Sequence, residues 1–322
     1  MHRKLNIPQE VYDIIIVGGG PAGLTAGIYA SRARMKTLLI ESFSVIGQAT
    51  MTEKIENYPG IESVGGFELV NIFKKQAQNF GLECTTGTVR SIDQEKENDC
   101  LLCKTETEDK TYKALSVIVA SGARPKKLNV PGEKEFLGKG ISYCAICDAA
   151  FFKDKEIVVV GGGDTAVEEA LYLTRFASKV TLIHRRDRLR AARILQEQIS
   201  ANEKVEFVWK SVVGSIEGDE KVNRVIIRDV DTAEKKEITC EGVFIFTGWH
   251  PSTDFVDGVV ELGEKGNIIV DEAMKTSKNG IFACGDCTKK VLHQVVTACG
   301  DGATAAYSAQ QYVEELKGIA YK

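Results

Sequence analysis

The chain has 322 residues, of which 43% are hydrophobic and 27% are charged, with 41 Lys and Arg residues against 45 Asp and Glu. This composition is that of an ordinary globular protein and argues against long disordered, collagen-like or coiled-coil stretches. At about 150 residues per domain the length predicts two domains, and the net charge of −4 argues against a nucleic-acid or anionic-lipid partner.

The N-terminal segment and the apolar runs bear on localisation. No apolar run reaches the roughly 18 residues that a membrane helix needs. The first residues, MHRKLNIPQEVYD, pass from charged residues to a strand pattern without the apolar centre of a signal peptide. We therefore expect a cytoplasmic protein that binds no membrane.

The first predicted element is a β-α-β unit over residues 12–41. It combines an apolar β-rich run, a glycine turn, an alanine-rich helical pattern and a second apolar run. Gly18, Gly20 and Gly23 match the dinucleotide-binding fingerprint, whose glycines allow a tight turn and close approach to a pyrophosphate. Glu41 ends the second strand. A carboxylate there accepts hydrogen bonds from ribose hydroxyls and repels a 2′-phosphate, so this copy predicts FAD or NAD.

A second β-α-β unit repeats the pattern over residues 155–186, with the fingerprint GGGDTA starting at residue 161. The end of its second strand is basic, and the residues concerned are His184, Arg185, Arg186 and Arg190. Guanidinium groups pair well with a 2′-phosphate and have no such partner on a bare ribose. This copy therefore predicts NADP, and the alternative interpretation is a solvated basic patch.

Two short segments mark predicted domain crossings. Residues 117–122 and 243–248 are both apolar strand patterns that run into small-residue turns. They indicate that the chain leaves one domain and later returns to it. The predicted fold class is α/β, with two Rossmann-like, three-layer ββα nucleotide-binding domains. The second domain (125–249) is inserted into the first (1–124 and 250–322).

Six of the nine cysteines fall in C-x-x-C pairs, at 100/103, 144/147 and 284/287. Cys144 and Cys147 lie just before the second nucleotide unit, and their spacing allows a disulfide across one helical turn. Between a flavin-type and an NADP-type site, such a dithiol is the natural acceptor of electrons. The alternative is a buried thiol pair. Asp148 follows directly and is a candidate proton donor or acceptor.

The other cysteines predict neither a metal site nor a second redox centre. The three pairs are far apart in sequence and lack zinc-ribbon spacing, so no metal ligand is predicted. Cys100 and Cys103 lie in a strand pattern and are interpreted as core or surface thiols. Cys284 and Cys287, at the end of an apolar run, are interpreted as packing residues. The G-x-S-x-G nucleophile elbow of hydrolases does not occur in the sequence.

In order and spacing, these motifs resemble the low-molecular-weight NADPH-dependent thioredoxin reductases over nearly the whole chain. The matching segments are GGGPAG at 18–23, ENYPG at 56–60, CAICD at 144–148, GGGDTAVEEA at 161–170, HRRDRLRA at 184–191, and IFACGDC at 281–287 followed by HQVVTACGDGATAA. The resemblance implies a homodimer with one FAD per subunit, NADPH as donor and thioredoxin as acceptor. It also implies that the inserted domain rotates between two states.

Carried over by position, the resemblance assigns residues to each cofactor. The residues implied for FAD are Gly18, Gly20, Pro21, Ala22, Gly23, Glu41, Gly47, Gln48, Asn57, Gly285, Asp286, Gln294 and Val295. The residues implied for NADPH are Gly163, Asp164, Thr165, His184, Arg185, Arg186 and Arg190. In the implied reaction, Cys147 is the sulfur next to the flavin, Cys144 attacks the thioredoxin disulfide, and Asp148 handles the proton.

The sequence departs from the family pattern in three places. Ala149 replaces the usual glycine after Asp148, His293 replaces a basic residue that is most often Arg, and Cys284 and Cys287 form an unusual pair. Other functions stay open beside the main one. They are a reductase of the same core with ferredoxin or F420 as donor or another acceptor, and a non-catalytic flavin/thiol redox sensor. The intact second glycine turn and its arginines favour NADPH over ferredoxin.

Overall fold

The computed structural model describes residues 10–42, 47–51, 55–97 and 100–320, apart from four side chains at positions 51, 100, 146 and 147. The strands in these residues are β1 (Tyr12–Val17), β2 (Thr37–Glu41), β3 (Glu83–Thr86), β4 (Val89–Glu97), β5 (Cys100–Thr107), β6 (Thr111–Val119), β7 (Ala123–Pro125), β8 (Ile141–Ser142), β9 (Glu156–Gly161), β10 (Lys179–Ile183), β11 (Val205–Val208), β12 (Ser211–Gly218), β13 (Val222–Asp229), β14 (Lys235–Thr239), β15 (Gly242–Phe246), β16 (Trp249–Pro251) and β17 (Ile281–Ala283). The α-helices are α1 (Pro21–Arg32), α2 (Gly66–Asn79), α3 (Ala145–Asp148), α4 (Asp164–Leu173), α5 (Arg193–Ser200) and α6 (Val295–Lys317). Short 3-10 helices cover Gln48–Met51, Ala149–Phe152, Asp254–Val256 and Gly285–Cys287.

The chain folds into two compact units, one formed by residues 1–124 and 250–322 and the other by residues 125–249. The strands β7 and β16 lie at the two points where the chain passes between the units, and they pair with each other. None of the helices in the described part of the chain combines the length and hydrophobicity that crossing a bilayer requires.

The discontinuous unit is built on one sheet with the strand order β3-β2-β1-β6-β5-β4, and β17 also pairs with β6. The strands β3, β2, β1, β6 and β17 are parallel, whereas β4, β5 and β6 are antiparallel. The hairpin-like polar pattern of residues 93–112 predicts a smaller sheet, whereas its strands continue the main one. The reason is the length of β6, since residues 111–114 pair with β5 and residues 114–119 pair with β1.

Alternate residues of β1 point to opposite faces of this sheet, as the period of a strand requires. Ile14 and Ile16 pack in the cluster formed with α1, α2 and α6. Ile15 and Val17 pack in a second cluster on the opposite face. Because both faces are covered, the strand is apolar from Ile14 to Val17, which is typical of parallel sheets.

The contact between α1 and α6 depends on a glycine. A Cβ atom on Gly302 would lie 2.1 Å from the carbonyl oxygen of Ala22, so the two helices approach more closely than any other residue would allow. Gly300 lies on the same helix, and a Cβ there would meet no atom within 4 Å. These two glycines therefore form a matched pair for testing the contact.

We predict opposite effects for alanine at these two positions. Gly302→Ala should lower the free energy of unfolding by about 1–3 kcal/mol, because α1 and α6 must separate. Gly300→Ala should leave it unchanged or raise it by up to about 1 kcal/mol, because alanine favours the helix. Thermal unfolding followed by circular dichroism measures both. Equal melting temperatures for the two variants would contradict the packing argument.

The inserted unit has a five-stranded parallel sheet with the order β11-β10-β9-β15-β8 and a separate antiparallel sheet of β12, β13 and β14. Ile157 and Val159 of β9 pack with α4 and α5, whereas Val158 and Val160 pack with the antiparallel sheet. Helices, parallel sheet and antiparallel sheet are thus three layers. The predicted α/β class with Rossmann-like units is confirmed. The hairpin-like polar pattern of residues 218–236 predicts a smaller sheet, and β12, β13 and β14 form it.

Candidate functional site

The first glycine turn connects β1 to the start of α1 in the discontinuous unit. Gly18 has φ +116°, and a Cβ on it would lie 2.3 Å from the carbonyl oxygen of Ala120. A Cβ on Gly23 would lie 1.9 Å from the carbonyl oxygen of Gly18, whereas one on Gly20 would meet no atom within 4 Å. Gly20 caps α1 without a side-chain hydrogen bond. The turn therefore leaves the start of α1, with Pro21 as its first residue, open to a phosphate.

Glu41 lies at the end of β2, beside this turn. A Cβ on Gly19 would lie 2.3 Å from Glu41 Oε2, so only glycine leaves room for the carboxylate in this position. Glu41 Oε1 forms an ion pair with Lys74 of α2, and both side chains are about one-third exposed. The carboxylate predicted to bind ribose is therefore held at the turn by a lysine.

Three amide side chains of the predicted set lie on the same unit. Gln48 Nε2 donates to the carbonyl oxygen of Ala123 at 3.0 Å. Asn57 Nδ2 donates to Gln294 Oε1 at 3.0 Å, although the two residues are far apart in sequence. Gln294 also caps α6, whose first residue is Val295. Gly47 is exposed, and a Cβ there would meet no atom within 4 Å.

Gly285 and Asp286, also in the predicted set, directly follow Cys284 at the end of β17. Gly285 has φ +74°, and a Cβ on it would lie 2.8 Å from Cβ of Ala22. Its backbone N–H donates to Asp301 Oδ2 at 3.2 Å, and Asp301 also pairs with Lys290. Asp286 Oδ1 is buried without a hydrogen-bond partner among the described residues. Burial raises the pKa of Asp286, as expected for a carboxyl group that lacks a donor.

The second glycine turn lies between β9 and α4 in the inserted unit. A Cβ on Gly161 would lie 2.4 Å from the carbonyl oxygen of Phe246 and 2.5 Å from Cβ of Ala166. Gly163 caps α4 without a side-chain hydrogen bond. Asp164 Oδ1 accepts a hydrogen bond from the backbone N–H of Ala192 at 2.6 Å. As in the first copy, the turn leaves the start of the helix open.

A cavity of about 160 Å³ lies at this second turn. The predicted residues that line it are Gly163, Asp164, Thr165 and Arg190. Its other walls were not predicted, and they comprise Pro125, Tyr143, Ala166, Ile245, Phe246, Gly248 and Trp249. The cavity thus combines a helix start and a guanidinium group with aromatic walls, which suits a ligand that carries both phosphate and a flat ring.

His184 and the arginines are found at the end of β10. His184 is only 5% exposed, and its Nε2 has no hydrogen-bond partner among the described residues. Burial is the main cause that lowers the pKa of His184, and a hydrogen bond with the backbone of Gly161 opposes it. The positive charges of Arg190, Arg185 and Arg186 lower the pKa further. The imidazole is therefore neutral at pH 7, and the three exposed guanidinium groups carry the positive charge.

Cys144 is disulfide-bonded and half-buried, and it directly precedes α3. Its backbone N–H donates to Ser142 Oγ at 3.0 Å, and the Ser142 hydroxyl donates to the carbonyl oxygen of Cys144 at 3.0 Å. The backbone of Cys147 lies in α3, and its side chain lies outside the described part of the structure. Asp148 is half-buried and ends α3.

The described cysteines of the other pairs, Cys103, Cys284 and Cys287, are buried. Cys287 Sγ donates to the carbonyl oxygens of Cys284 at 3.3 Å and of Val119 at 3.5 Å. Burial raises the pKa of Cys287 to about 11 and the pKa of Cys284 well above its usual value. Cys103 is buried as well. Such thiols are poor nucleophiles, which agrees with their interpretation as packing residues. No cluster of metal-ligating side chains occurs among the described residues.

Comparison with known proteins places the chain in a family. The family model described as "Pyridine nucleotide-disulphide oxidoreductase" matches residues 12–302. The chain belongs to this family. This pyridine nucleotide-disulphide oxidoreductase is 50% identical to the thioredoxin reductase of Bacillus subtilis (strain 168) over 310 residues, which are 96% of this chain and 97% of the relative. The resemblance inferred from the motifs is therefore confirmed.

Solved structures of other thioredoxin reductases share the fold of this pyridine nucleotide-disulphide oxidoreductase. The structure from Lactococcus lactis, described as being in the FR conformation, matches with a TM-score of 0.91 and 45% identity, covering 94% of this chain and 99% of that one. The structure from T. acidophilum matches with a TM-score of 0.86 and 34% identity, covering 94% and 98%. These matches agree with the Rossmann-like architecture of both units.

Several residues of this oxidoreductase near the candidate sites were not predicted from the sequence. They are Lys74 beside Glu41, Lys290 and Asp301 behind Gly285, and Tyr143 and Trp249 in the cavity wall. None belongs to a fingerprint. Two of them carried a signal, because Tyr143 directly precedes Cys144 and Asp301 lies in the segment HQVVTACGDGATAA that matches the family.

Proposed function

We propose that this protein is a thioredoxin reductase that transfers electrons from NADPH through FAD and a Cys144–Cys147 disulfide to oxidised thioredoxin. The observation that carries the proposal is that disulfide-bonded Cys144 and the dinucleotide-type cavity belong to the same unit. The other unit holds the first glycine fingerprint, with a carboxylate, Glu41, where the inserted unit has arginines. The protein is proposed to be a cytoplasmic homodimer, as its family resemblance implies.

The residues of the discontinuous unit fit FAD. The open turn at Gly20 suits the pyrophosphate, and Glu41 suits a ribose. The buried Asp286 Oδ1 lacks a donor, which a flavin ribityl hydroxyl would supply. When bound, FAD supplies a two-electron carrier between a nicotinamide and a disulfide.

The residues of the inserted unit fit NADPH. The start of α4 and Arg190 line the cavity. Arg185 and Arg186 are exposed and lie shortly before Arg190 in the sequence. Because His184 is neutral, charge recognition of a 2′-phosphate depends on the guanidinium groups. This set of donors distinguishes NADPH from NADH.

The two cysteines transfer the electrons to thioredoxin by thiol–disulfide exchange. In the dithiol form, the Cys144 thiolate attacks one sulfur of the thioredoxin disulfide, and the other thioredoxin sulfur leaves as a thiolate. The Cys147 thiolate then attacks Cys144, which releases reduced thioredoxin and restores the Cys144–Cys147 disulfide. Asp148 is proposed to move the proton. Half-buried Cys144 is within reach of a protein substrate.

An anaerobic visible spectrum tests the whole electron path. A yellow protein should lose its flavin band on addition of NADPH and regain it on addition of oxidised thioredoxin. A flavin band that NADPH leaves unchanged would move the donor to ferredoxin or F420. Bleaching by NADPH that thioredoxin does not reverse would indicate a reductase with another acceptor or a non-catalytic redox sensor.

We predict that Asp286→Ala weakens FAD binding by about tenfold or more, because hydrogen bonds to charged groups contribute about 1.5–3 kcal/mol. The measurement is the dissociation constant of FAD, obtained by fluorescence quenching on reconstitution of the apoprotein. Asp257→Ala is the control, since this exposed aspartate follows a 3-10 helix of the same unit. Unchanged affinity in Asp286→Ala would remove Asp286 from the FAD site.

A further inference from the structure

Glu133 is a buried carboxylate that binds a tyrosine hydroxyl. It is only 3% exposed, and its Oε1 accepts hydrogen bonds from the Tyr143 hydroxyl at 2.5 Å and the Leu128 N–H at 2.8 Å. Its Oε2 accepts from the Asn129 N–H at 2.6 Å. Among the described residues it forms no ion pair. A buried carboxylate is costly unless its oxygens are satisfied, so this arrangement holds the Tyr143 hydroxyl firmly.

Tyr143 also forms part of the cavity wall. It lines the cavity together with Gly163, Asp164 and Arg190, which are residues proposed to bind NADPH. The hydroxyl end of the side chain is bound by Glu133, away from the backbone. The ring between the hydroxyl and the backbone is then the part of the side chain available to a ligand in the cavity.

The backbone of Tyr143 leads directly into the redox-active segment. The next residue is disulfide-bonded Cys144, whose backbone N–H and carbonyl oxygen are both hydrogen-bonded to the Ser142 hydroxyl. Ser142 is buried and ends β8. One peptide bond thus separates the cavity wall from the disulfide.

We propose that Tyr143 is a positioning residue that couples occupation of the dinucleotide cavity to the reducibility of the Cys144 disulfide. Because Glu133 fixes the hydroxyl, the ring cannot swing away from a ligand, and any displacement passes to the backbone of Tyr143 and Cys144. This inference rests on the proposed function, since it takes the ligand to be a nicotinamide dinucleotide. Coupling between two sites is reciprocal, so reduction of the disulfide changes dinucleotide affinity by the same factor.

The test measures the disulfide equilibrium of the holoenzyme in dithiothreitol redox buffers, with and without tetrahydro-NADP, an analogue that has no transferable hydride. The exchange is balanced, because the enzyme disulfide becomes a dithiol as dithiothreitol becomes its cyclic disulfide. Acid quenching, alkylation and mass spectrometry give the fraction of reduced Cys144. We expect saturating analogue to change the equilibrium constant of the wild-type protein at least threefold.

The variants separate coupling from a structural role. Tyr143→Phe keeps the ring and removes the hydroxyl that Glu133 binds. The analogue should still bind this variant, while the effect of the analogue on the disulfide falls below about twofold. Glu133→Gln should reduce the effect in the same way. In the double variant, the effect of the analogue on the disulfide should be no smaller than in either single variant, because the two residues act through one hydrogen bond. Tyr172→Phe is the control, because it removes a hydroxyl from α4 of the same unit, and it should retain the wild-type effect.

Three results would overturn the proposal. The first is a wild-type equilibrium that saturating analogue does not change, and the second is an undiminished effect in Tyr143→Phe. The third is failure of the analogue to bind the wild-type protein, measured by isothermal titration calorimetry, which would also remove the NADPH site. The first two results leave the proposed function intact if NADPH still bleaches the flavin.

Discussion

Replacing Cys147 with serine is expected to abolish thioredoxin reduction while leaving the reduction of bound flavin by NADPH intact. The remaining thiol can form a mixed disulfide with thioredoxin, but no second thiol is present to resolve it. Loss of a reacting sulfur should lower the turnover rate at least about 1000-fold. Stopped-flow absorbance measures flavin bleaching, and a coupled insulin-reduction assay measures turnover.

The control for this variant is Cys84→Ser, which also exchanges one sulfur for oxygen. Cys84 is a free, half-buried thiol in β3, and its pKa is raised mainly by burial. Turnover in Cys84→Ser should equal that of the wild-type protein. Thioredoxin turnover retained by Cys147→Ser would eliminate the proposed dithiol.

The double substitution Arg185→Ala/Arg186→Ala should raise KM for NADPH about 100-fold, since two charge-assisted contacts to the 2′-phosphate are each worth about 1.5 kcal/mol. KM for NADH should change less than about threefold, because NADH lacks that phosphate. Steady-state kinetics with both donors at constant ionic strength measures the difference, which is converted to a free energy through kcat/KM.

Arg188→Ala provides the matched control for the arginine variant. Arg188 is exposed on the same segment, and it is not one of the arginines whose charge acts on His184. It should therefore change KM for NADPH less than threefold. If the double variant raised KM for NADPH and NADH equally, the 2′-phosphate contact would be disproved.

The two β-α-β units could be predicted because their signals are local. In each, a short apolar strand, a glycine turn and an alanine-rich helix follow one another within about 30 residues. Glu41 and His184 could be placed for the same reason, since each lies at the end of the second strand or just after it. The C-x-x-C spacing also indicated one helical turn between Cys144 and Cys147, where α3 covers Ala145–Asp148.

Contacts between distant segments could not be predicted. The ion pair of Glu41 with Lys74 depends on how α2 packs beside β2, and no pattern in either segment encodes it. The bond between Glu133 and Tyr143 likewise requires the chain to turn back after Asn129, whose φ is +59°. The extension of the main sheet by β4 and β5 follows from the length of β6, which the apolar pattern showed only in part.

The position of β17 and α6 in the chain has a consequence for biosynthesis. β17 pairs with β6 and α6 packs on α1, so the unit that begins the chain is completed only by its last 73 residues, 250–322. The ribosome releases residues 125–249 earlier, and these form a continuous unit. At about 5–20 residues per second, synthesis of the inserted unit is complete roughly 4–15 s before synthesis of the discontinuous unit. During that interval the edge of β6 that β17 will cover is open to aggregation, and burial of the apolar face of α1 waits for α6.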